Sequence, residues 1–426
     1  MRIFSLEKLS QKELSGLFSR PAINFEKSFK AVRPILIDVK NEGQKAALEY
    51  ARKYDMFTDE SIFVSKKDFQ DAEINLSADV KNALKKAAAN IEKFHSKQSP
   101  VKYEVETVKG VFCSREYRPI DNVGLYIPGG SAVLPSTMLM LGIPSKIAGC
   151  KRVVASTPVK NNPINHAVLF AAKLCGVHEF MKIGGAQGIA LLAYGDREFK
   201  KVDKIFGPGN QYVTAAKALV SIDPVGCAID MPAGPSEVLI IADESADASF
   251  IAADLLSQAE HGPDSQVILI TNSIAIAAEV KKQIAKQLKL LPRKAIAEQS
   301  LKSSFILEVK SIDEAIDLSN NYAPEHLIIN ASNATRLKSK IHNAGSVFLG
   351  TYSCESAGDY ASGTNHSLPT YGYARSFGGV TVESFMKTIS FQSLTKNGLK
   401  NISGTIIELA GVENLDAHAN AVKIRL

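Results

Sequence analysis

Hydrophobic and polar residues follow three successive patterns along the chain. Apolar positions recur at helical spacing in residues 25–55 and 77–97, among many lysines and glutamates, which predicts surface helices. Residues 101–119 alternate on both sides of Lys109-Gly110 instead, which predicts a β-hairpin. From about residue 122 to residue 350, short apolar runs of strand length alternate with helical segments. This alternation is typical of parallel sheets with both faces covered by helices.

The alternating region divides into two series of strands and helices. The first, residues 122–233, includes the apolar runs VGLYIP, KRVVAST and VDKIF, and the second, residues 235–350, includes SEVLIIAD, QVILITN and EHLIIN. No sequence repeat relates the two series. We therefore predict an α/β fold with two parallel-sheet modules. Residues 393–426, predicted as a helix followed by a strand, are too few to form a core and must pack on something larger.

Composition and charge narrow the class of protein. The chain has 426 residues, of which 45% are hydrophobic and 22% charged, as in ordinary globular proteins. Its net charge of +6 is a small excess without a block of like charge, so nucleic-acid binding is not indicated. The amino terminus lacks a long apolar segment, and prolines interrupt the charge-free run 124–145, so we expect neither a secretory signal nor a membrane span. Five scattered cysteines suit a reducing cytosol, which predicts a cytoplasmic protein.

Two short polar segments are the strongest candidates for chemistry. In DLLSQAEHGPDSQ, Gln258 and His261 lie three residues apart at the end of a predicted helix and project from one side of it. They could bind a metal, or the histidine could simply be stabilised by the helix dipole. In NYAPEHLIIN, Glu325 and His326 supply the carboxylate and imidazole commonly used in proton transfer. An exposed glutamate beside a hydrogen-bonded histidine would have the same sequence.

Two later segments carry further candidate ligands. A stretch rich in glycine, serine and tyrosine follows residue 350 and contains Asp359 and His366. Long irregular stretches in a compact chain are usually functional or disordered, and this aspartate could bind a metal or cap a helix. The tail NLDAHANAV contains His418, a residue type that is ordinarily on the surface.

Three glycine-rich loops each follow an apolar strand and lead toward a helix: GLYIPGGSA (124–132), IGGAQGIA (183–190) and FGPGNQYV (206–213). Such loops leave backbone N–H groups free for phosphates in α/β folds. None matches GxGxxG, since Tyr212 occupies the third glycine position of the closest one, so nucleotide binding and a structural role both stay open. Cys113 and Cys150 have no neighbouring histidine, which favours inert thiols over a thiolate nucleophile.

Taken together, these segments resemble the histidinol dehydrogenase family from about residue 115 to residue 426. The combination of QAEHGPDSQ, APEHL and GDYASGTNH is the most specific part of the resemblance. The family's fold implies two Rossmann-like parallel-sheet domains with small N- and C-terminal arms that interlock two subunits. The expected division is an N-terminal arm (1–24), a first domain (25–120 plus 235–375), a second, NAD-binding domain (121–234) and a C-terminal dimerisation arm (376–426).

The resemblance also implies the roles of individual residues. One Zn²⁺ per subunit would be held by Gln258, His261, Asp359 and His418, and Glu325 and His326 would transfer protons. The implied substrate contacts are Ser236, Gln258, His261, His326, Asp359, His366, Glu413 and His418. The implied NAD⁺ contacts are Tyr126, Gln187 and Asn210.

The function implied by the resemblance is the last step of histidine biosynthesis. L-Histidinol would be oxidised to L-histidine through bound L-histidinal, with two NAD⁺ consumed, in a homodimer whose tail completes the zinc site of the other subunit. The alternatives are a zinc hydrolase in which Glu325 activates a metal-bound water, a non-catalytic α/β binding protein, and an enzyme acting on a related amino alcohol.

Overall fold

The computed structural model describes residues 1–21, 25–129, 134–159, 164–177, 179–232 and 234–426. Three sheets organise these parts of the chain: a six-stranded sheet, a five-stranded sheet and a three-stranded sheet. All strand pairs are parallel in the first two and antiparallel in the third. The two parallel sheets confirm the α/β prediction. Residues 130–132, in the first predicted glycine loop, lie outside the described residues.

The six-stranded sheet has the order β1-β11-β10-β9-β12-β13. Its strands are β1 (Arg2–Ser5), β9 (Glu237–Ala242), β10 (Gln266–Thr271), β11 (Phe305–Glu308), β12 (His326–Asn330) and β13 (Ser346–Leu349). Its helices are α1 (Gln11–Leu17), α10 (Ala248–Ala259), α11 (Ile274–Gln287), α12 (Lys294–Ser300), α13 (Ile312–Tyr322) and α14 (Glu355–Tyr360). Strands β9 and β10 are buried along their whole length because apolar clusters cover both faces of the sheet.

The five-stranded sheet has the order β6-β5-β4-β7-β8. Its strands are β4 (Asn122–Tyr126), β5 (Arg152–Ser156), β6 (Glu179–Met181), β7 (Lys204–Phe206) and β8 (Ala228–Ile229). The helices that follow these strands are α6 (Pro135–Ala148), α7 (His166–Leu174), α8 (Gly185–Tyr194) and α9 (Gln211–Ile222). They form two buried clusters, one on each face of the sheet.

The helices near the amino terminus pack on the five-stranded sheet. They are α2 (Phe25–Glu42), α3 (Gln44–Asp55), α4 (Lys66–Asn75) and α5 (Ala78–His95). Helix α2 contacts α8 and α9, α4 contacts α7, and α5 contacts α6. Grouping residues 25–120 with the six-stranded sheet, as expected above, does not match this packing, because the apolar faces of these helices are buried in the clusters of the other sheet. The remaining domain boundaries stay a prediction.

The three-stranded sheet joins the predicted hairpin to the carboxyl-terminal region. Strands β2 (Tyr103–Val108) and β3 (Val111–Pro119) form that hairpin, and β14 (Met386–Leu394) pairs with β3. Two helices follow, α15 (Lys396–Val412) and α16 (Asp416–Lys423). The prediction of a helix followed by a strand was therefore wrong. The alternating run MKTISFQSL is the strand, and Thr395 begins α15 by accepting a hydrogen bond from the Gly398 N–H through its side chain.

In the described ranges, no helix is both long enough and apolar enough to cross a bilayer.

Candidate active site

An open cavity of about 690 Å³ lies between the two parallel sheets. One wall comes from the carboxyl ends of β4 and β7 and includes Tyr126 and Asn210. The other wall comes from the amino ends of β9 and β12 and includes Ser236, Glu325 and His326. Ligands in parallel α/β sheets usually bind at the carboxyl ends of strands, so only the first wall follows that rule.

Local backbone geometry delivers Glu325 and His326 to the cavity. Helix α13 ends at Ala323, whose φ of 56° is left-handed, and Pro324 prevents the helix from continuing. The Glu325 carboxylate accepts a hydrogen bond of 2.8 Å from the backbone N–H of Glu237. The His326 Nδ1 lies 3.2 Å from the backbone carbonyl oxygen of Glu237. The first residue of β9 therefore holds both members of the pair.

Three carboxylates surround the buried imidazole of His326. Its Nδ1 lies 3.6 Å from Glu325 and 3.6 Å from Glu355, and its Nε2 lies 3.7 Å from Asp359. Burial alone would lower the pKa of His326, but attraction to Glu355 and Glu325 holds that pKa well above its usual range. Burial raises the pKa of Glu355, which is the most enclosed of the three acids. Glu355 and Asp359 lie one turn apart on α14, so they face the imidazole together.

This cluster has the chemistry of a metal site. Potential ligand atoms of His326, Glu355 and Asp359 all lie within 4.8 Å of one another. The His326 Nε2 is buried without a hydrogen-bond partner, and so is one carboxylate oxygen of Glu355. Imidazole nitrogens and carboxylate oxygens are zinc ligands, and His261 adds a second imidazole to the lining of the same cavity. Asp359 and His261 therefore supply a carboxylate and an imidazole of the kind that fit a zinc ion.

Gln258 is fully buried beside this cluster and is not part of the cavity lining. In the amide orientation that satisfies both neighbours, the Gln258 amide nitrogen donates to the Glu355 carboxylate, and its amide oxygen accepts from the Glu237 N–H at 3.0 Å. Its side chain would have to turn to reach an ion at His261 and Asp359.

The cavity brings together most of the residues selected from the sequence. Those in the lining are Tyr126, Asn210, Ser236, His261, Glu325, His326, Asp359 and His366. The imidazole of His366 is held between the Asp359 carbonyl oxygen at 2.9 Å and the Thr137 hydroxyl at 3.0 Å. Burial lowers the pKa of His366, which favours its neutral form.

Three selected residues lie elsewhere. Gln187 is buried in α8, donates to Asp55 at 3.0 Å and is not among the residues that line the cavity. Glu413 follows α15 and His418 lies in α16, and both are exposed in the carboxyl-terminal arm.

The wall formed by the five-stranded sheet is tightly braced. The Tyr126 hydroxyl accepts a hydrogen bond of 3.1 Å from the Gly185 N–H, and burial raises its pKa to about 12. Asn210 caps α9, accepting from the N–H groups of Tyr212 and Val213. Gly207 has a φ of 117°, and a Cβ there would overlap the carbonyl oxygen of Tyr126. Only glycine suits this position.

Sequence reasoning missed Thr137, Glu237 and Glu355. Two of them had a signal: Glu237 is a charged residue at the head of an otherwise apolar strand, and Glu355 precedes Asp359 by one helical turn. Cys150 is not an activated thiol, because burial raises its pKa to about 12.

Comparison with known proteins agrees with this arrangement. Residues 18–426 match the family model described as histidinol dehydrogenase. The chain is 51% identical to the histidinol dehydrogenase of Vibrio vulnificus (strain YJ016), over 100% of this chain and 98% of the relative. It is 52% identical to that of Bacteroides thetaiotaomicron, over 98% of this chain and 97% of the relative.

A solved structure extends the likeness to the fold. The crystal structure of histidinol dehydrogenase from Elizabethkingia anophelis superposes with a TM-score of 0.95 at 49% sequence identity, covering 100% of this chain and 98% of that one. The sequence match and the shared fold both cover nearly the full length. The chain therefore belongs to the histidinol dehydrogenase family.

Proposed function

We propose that this chain oxidises L-histidinol to L-histidine in two successive steps, with L-histidinal bound between them. Each step passes a hydride to one molecule of the co-substrate NAD⁺, and a water supplies the second carboxylate oxygen. The observation that carries the proposal is the buried Glu325–His326 pair, which faces one cavity together with His261 and Asp359, two side chains of the kinds that bind zinc. Family membership over nearly the whole chain supports the same reaction.

In its neutral form, His326 takes the hydroxyl proton in the first oxidation. The carboxylates that raise the pKa of His326 make it a strong base, so this step should require a pH high enough to deprotonate the ring. Its Nε2 is buried and has no hydrogen-bond partner, so it is available to a substrate atom. Its Nδ1 lies by the Glu237 carbonyl oxygen, which orients the ring and favours a proton on that nitrogen. A positioned base of this kind contributes about 10²–10⁴-fold to the rate.

Glu325 activates the water that adds to the aldehyde in the second oxidation. One of its carboxylate oxygens is held by the Glu237 N–H, which fixes the group against the cavity wall. The variant Glu325→Gln keeps the shape and loses the base, so it should slow aldehyde oxidation more than alcohol oxidation. Equal losses in the two steps would contradict this role.

Zinc would be held by Gln258, His261, Asp359 and the His418 of a second subunit. When bound, it would polarise and orient the substrate through the substrate's amine and imidazole nitrogens. Chelation should abolish turnover and added zinc should restore it, whereas full activity in metal-free protein would exclude a metal role.

The remaining contacts in the site divide between the two walls. Tyr126, Gln187 and Asn210 are proposed to contact NAD⁺, on the side of the five-stranded sheet. Ser236, His366 and the Glu413 of a second subunit are proposed to contact the substrate. Gln187 would have to leave Asp55 to do so, since its amide now donates there.

The position of the carboxyl-terminal arm supports a homodimer with shared sites. His418 and Glu413 are exposed, and apolar side chains on the same arm and hairpin are also exposed, among them Val105, Phe391 and Leu409. Mixing His418→Ala with His261→Ala subunits should regenerate some active sites. Absence of activity despite proven subunit exchange would mean that each chain builds its own site. We place the enzyme in the cytoplasm, in keeping with its biosynthetic role.

The decisive assay is incubation with L-histidinol and NAD⁺ while NADH and histidine are followed. We expect about two NADH and one histidine for each L-histidinol consumed. A zinc hydrolase or a binding protein would form no NADH, and an enzyme for a related amino alcohol would turn over L-histidinol poorly.

A further inference from the structure

A buried arginine from the amino-terminal segment lies directly behind the Glu325–His326 pair. The Arg20 side chain is 12% exposed, and the Glu237 side chain that it binds is 2% exposed. Arg20 donates from Nε at 2.5 Å and from Nη2 at 2.8 Å to the two carboxylate oxygens of Glu237. Its guanidinium also stacks 3.8 Å from the ring centre of Tyr322. A bidentate, stacked arginine of this kind is held in one orientation.

Glu237 connects this ion pair to the proposed proton-transfer groups. Its backbone N–H holds the Glu325 carboxylate, and its carbonyl oxygen faces the His326 Nδ1. Its side chain accepts from Arg20 and, at 2.7 Å, from the backbone N–H of Tyr371, whose φ of 59° is left-handed. The side chain of Glu237 is thus anchored on both sides, and that anchor fixes the peptide groups that hold the pair.

Arg20 also holds the turn that precedes Glu325. Its Nη2 donates to the carbonyl oxygens of Tyr322 at 2.8 Å and Ala323 at 3.3 Å. These are the last residues before Pro324-Glu325, at the left-handed end of α13. One cation therefore fixes Glu325 by two routes, through Glu237 and through the turn.

The two members of the pair depend on Arg20 to different extents. His326 begins β12 and pairs with both neighbouring strands, at Val238 and at Ser346, so the sheet itself fixes its backbone. Glu325 lies just before the strand, and its backbone carbonyl oxygen accepts a hydrogen bond of 2.9 Å from the Ser346 N–H. Its carboxylate, however, is held by the Glu237 N–H alone among the hydrogen bonds of the described residues. Disturbing Arg20 should displace the Glu325 carboxylate more than the His326 ring.

We propose that Arg20 is a positioning residue that aims the Glu325 carboxylate at the water used in aldehyde oxidation. A buried ion pair is often replaceable by apolar residues without loss of stability, so stability alone does not account for a buried charge at this position. The proposal rests on the proposed function, because it assigns Arg20 to the second of the two oxidations. It also makes the amino-terminal segment part of the active-site support.

The test compares the two half-reactions in Arg20→Met. In a single turnover, the first NADH formed from L-histidinol measures the first oxidation, and NADH formed from L-histidinal measures the second. We expect the second rate to fall about 10-fold more than the first, since small misplacement of a reacting group costs up to about 10²-fold. Released L-histidinal, trapped by semicarbazide, should increase, while the KM for L-histidinol changes little. An unchanged ratio of the two rates would overturn the proposal.

Arg152→Met is the matched control. Arg152 also binds a carboxylate in a bidentate way, because its Nε and Nη2 both donate to Glu179. It donates as well to the backbone carbonyl oxygen of Lys200, at 2.8 Å. Its guanidinium lies 5.0 Å from the Phe199 ring, and it begins β5, at the end of the five-stranded sheet that is remote from the cavity. Its loss should leave the ratio of the two oxidation rates unchanged, whatever it does to the urea midpoint.

A second variant covers the case in which Arg20→Met does not fold. Arg20→Lys keeps the charge but has a single nitrogen in place of the fork, so it should lower the same ratio by a smaller factor. An unchanged ratio in folded Arg20→Lys would equally overturn the proposal. If the wild-type protein oxidises neither L-histidinol nor L-histidinal, the proposed function fails instead, which separates the two outcomes.

Discussion

A buried ion pair, Lys217 with Asp230, supports the wall of the cavity that belongs to the five-stranded sheet. The Lys217 Nζ lies 2.5 Å from Asp230 and 2.7 Å from the carbonyl oxygen of Gly207, and both charged side chains are 4% exposed. Asp230 in turn accepts from the N–H groups of Gly207 and Met231, both at 2.7 Å. The pair therefore grips both polar groups of the glycine that begins the loop 207–210. We predict that Lys217→Met weakens both the fold and this loop.

The magnitude follows from the burial of the pair. Removing one partner of a buried ion pair costs about 3–5 kcal/mol because the other charge is left without compensation. Asp230 would keep its two N–H donors, which places the expected loss near the lower end, about 3 kcal/mol. The double variant Lys217→Met/Asp230→Asn leaves no buried charge, so its loss should be smaller than that of the single variant.

Urea unfolding of the purified variants measures these losses. The KM for NAD⁺ should rise in Lys217→Met, because Pro208, Gly209 and Asn210 of the same loop line the cavity, while the KM for L-histidinol should change less. Lys45→Met is the control, since Lys45 forms an ion pair of similar length with Glu42 but is 72% exposed, and its loss should leave stability unchanged within error. A loss below about 1 kcal/mol in Lys217→Met, or a double variant less stable than the single one, would refute the reasoning.

Two further predictions concern backbone strain and pH. The variant Gly207→Ala should unfold at a much lower temperature than the variant Gly149→Ala. Both glycines have a positive φ, but only a Cβ at position 207 would overlap a backbone atom, the carbonyl oxygen of Tyr126. Equal decreases in the unfolding temperature would contradict this explanation. Burial raises the pKa of the Asp254 carboxyl group from 3.8 to about 6, so the folded state binds the carboxyl proton more tightly than the unfolded state does. The protonated carboxyl group is tolerated in the folded state, and its contribution to stability is complete below pH 3.8. That contribution is lost as the pH rises through 6 and the buried group becomes charged. Asp254→Asn should therefore be more stable than the wild type at pH 8, by up to about 3 kcal/mol, with little gain at pH 4 in urea unfolding. A gain as large at pH 4 as at pH 8 would show that the charge is not its cause.

The local pattern of hydrophobic and polar residues was sufficient to predict most of the parallel strands and several helices. The run predicted as helical over residues 77–97 contains the helix Ala78–His95, because its apolar positions repeat at helical spacing and Ser77 caps its start. The hairpin at Lys109-Gly110 formed where alternation predicted it. What the pattern did not contain was the partner of each element. Helix α2 has an apolar face that would suit either sheet, and only packing assigns it to α8 and α9.

The candidate site shows the same limit. Residues that share a short motif, such as Glu325 with His326, could be chosen from the sequence alone. Arg20 and Glu237 are 217 positions apart, and nothing near either residue indicates that they meet. Glu355 could have been chosen from the sequence, since it lies one turn before Asp359. A single acidic residue in a short helix does not indicate a site, however, unless the position of His326 beside it is known.

The chain crosses from one parallel sheet to the other through the active site itself. Strand β8 ends at Ile229 and β9 begins at Glu237, and Gly234, Pro235 and Ser236 between them line the cavity. Residues 234–236 line the cavity and lead directly into β9, so a shift of one sheet relative to the other would move this part of the cavity wall. A movement of the two sheets and a change in the geometry of the active site would then involve the same backbone segment, so no chain of contacts through the protein interior would be needed to couple them.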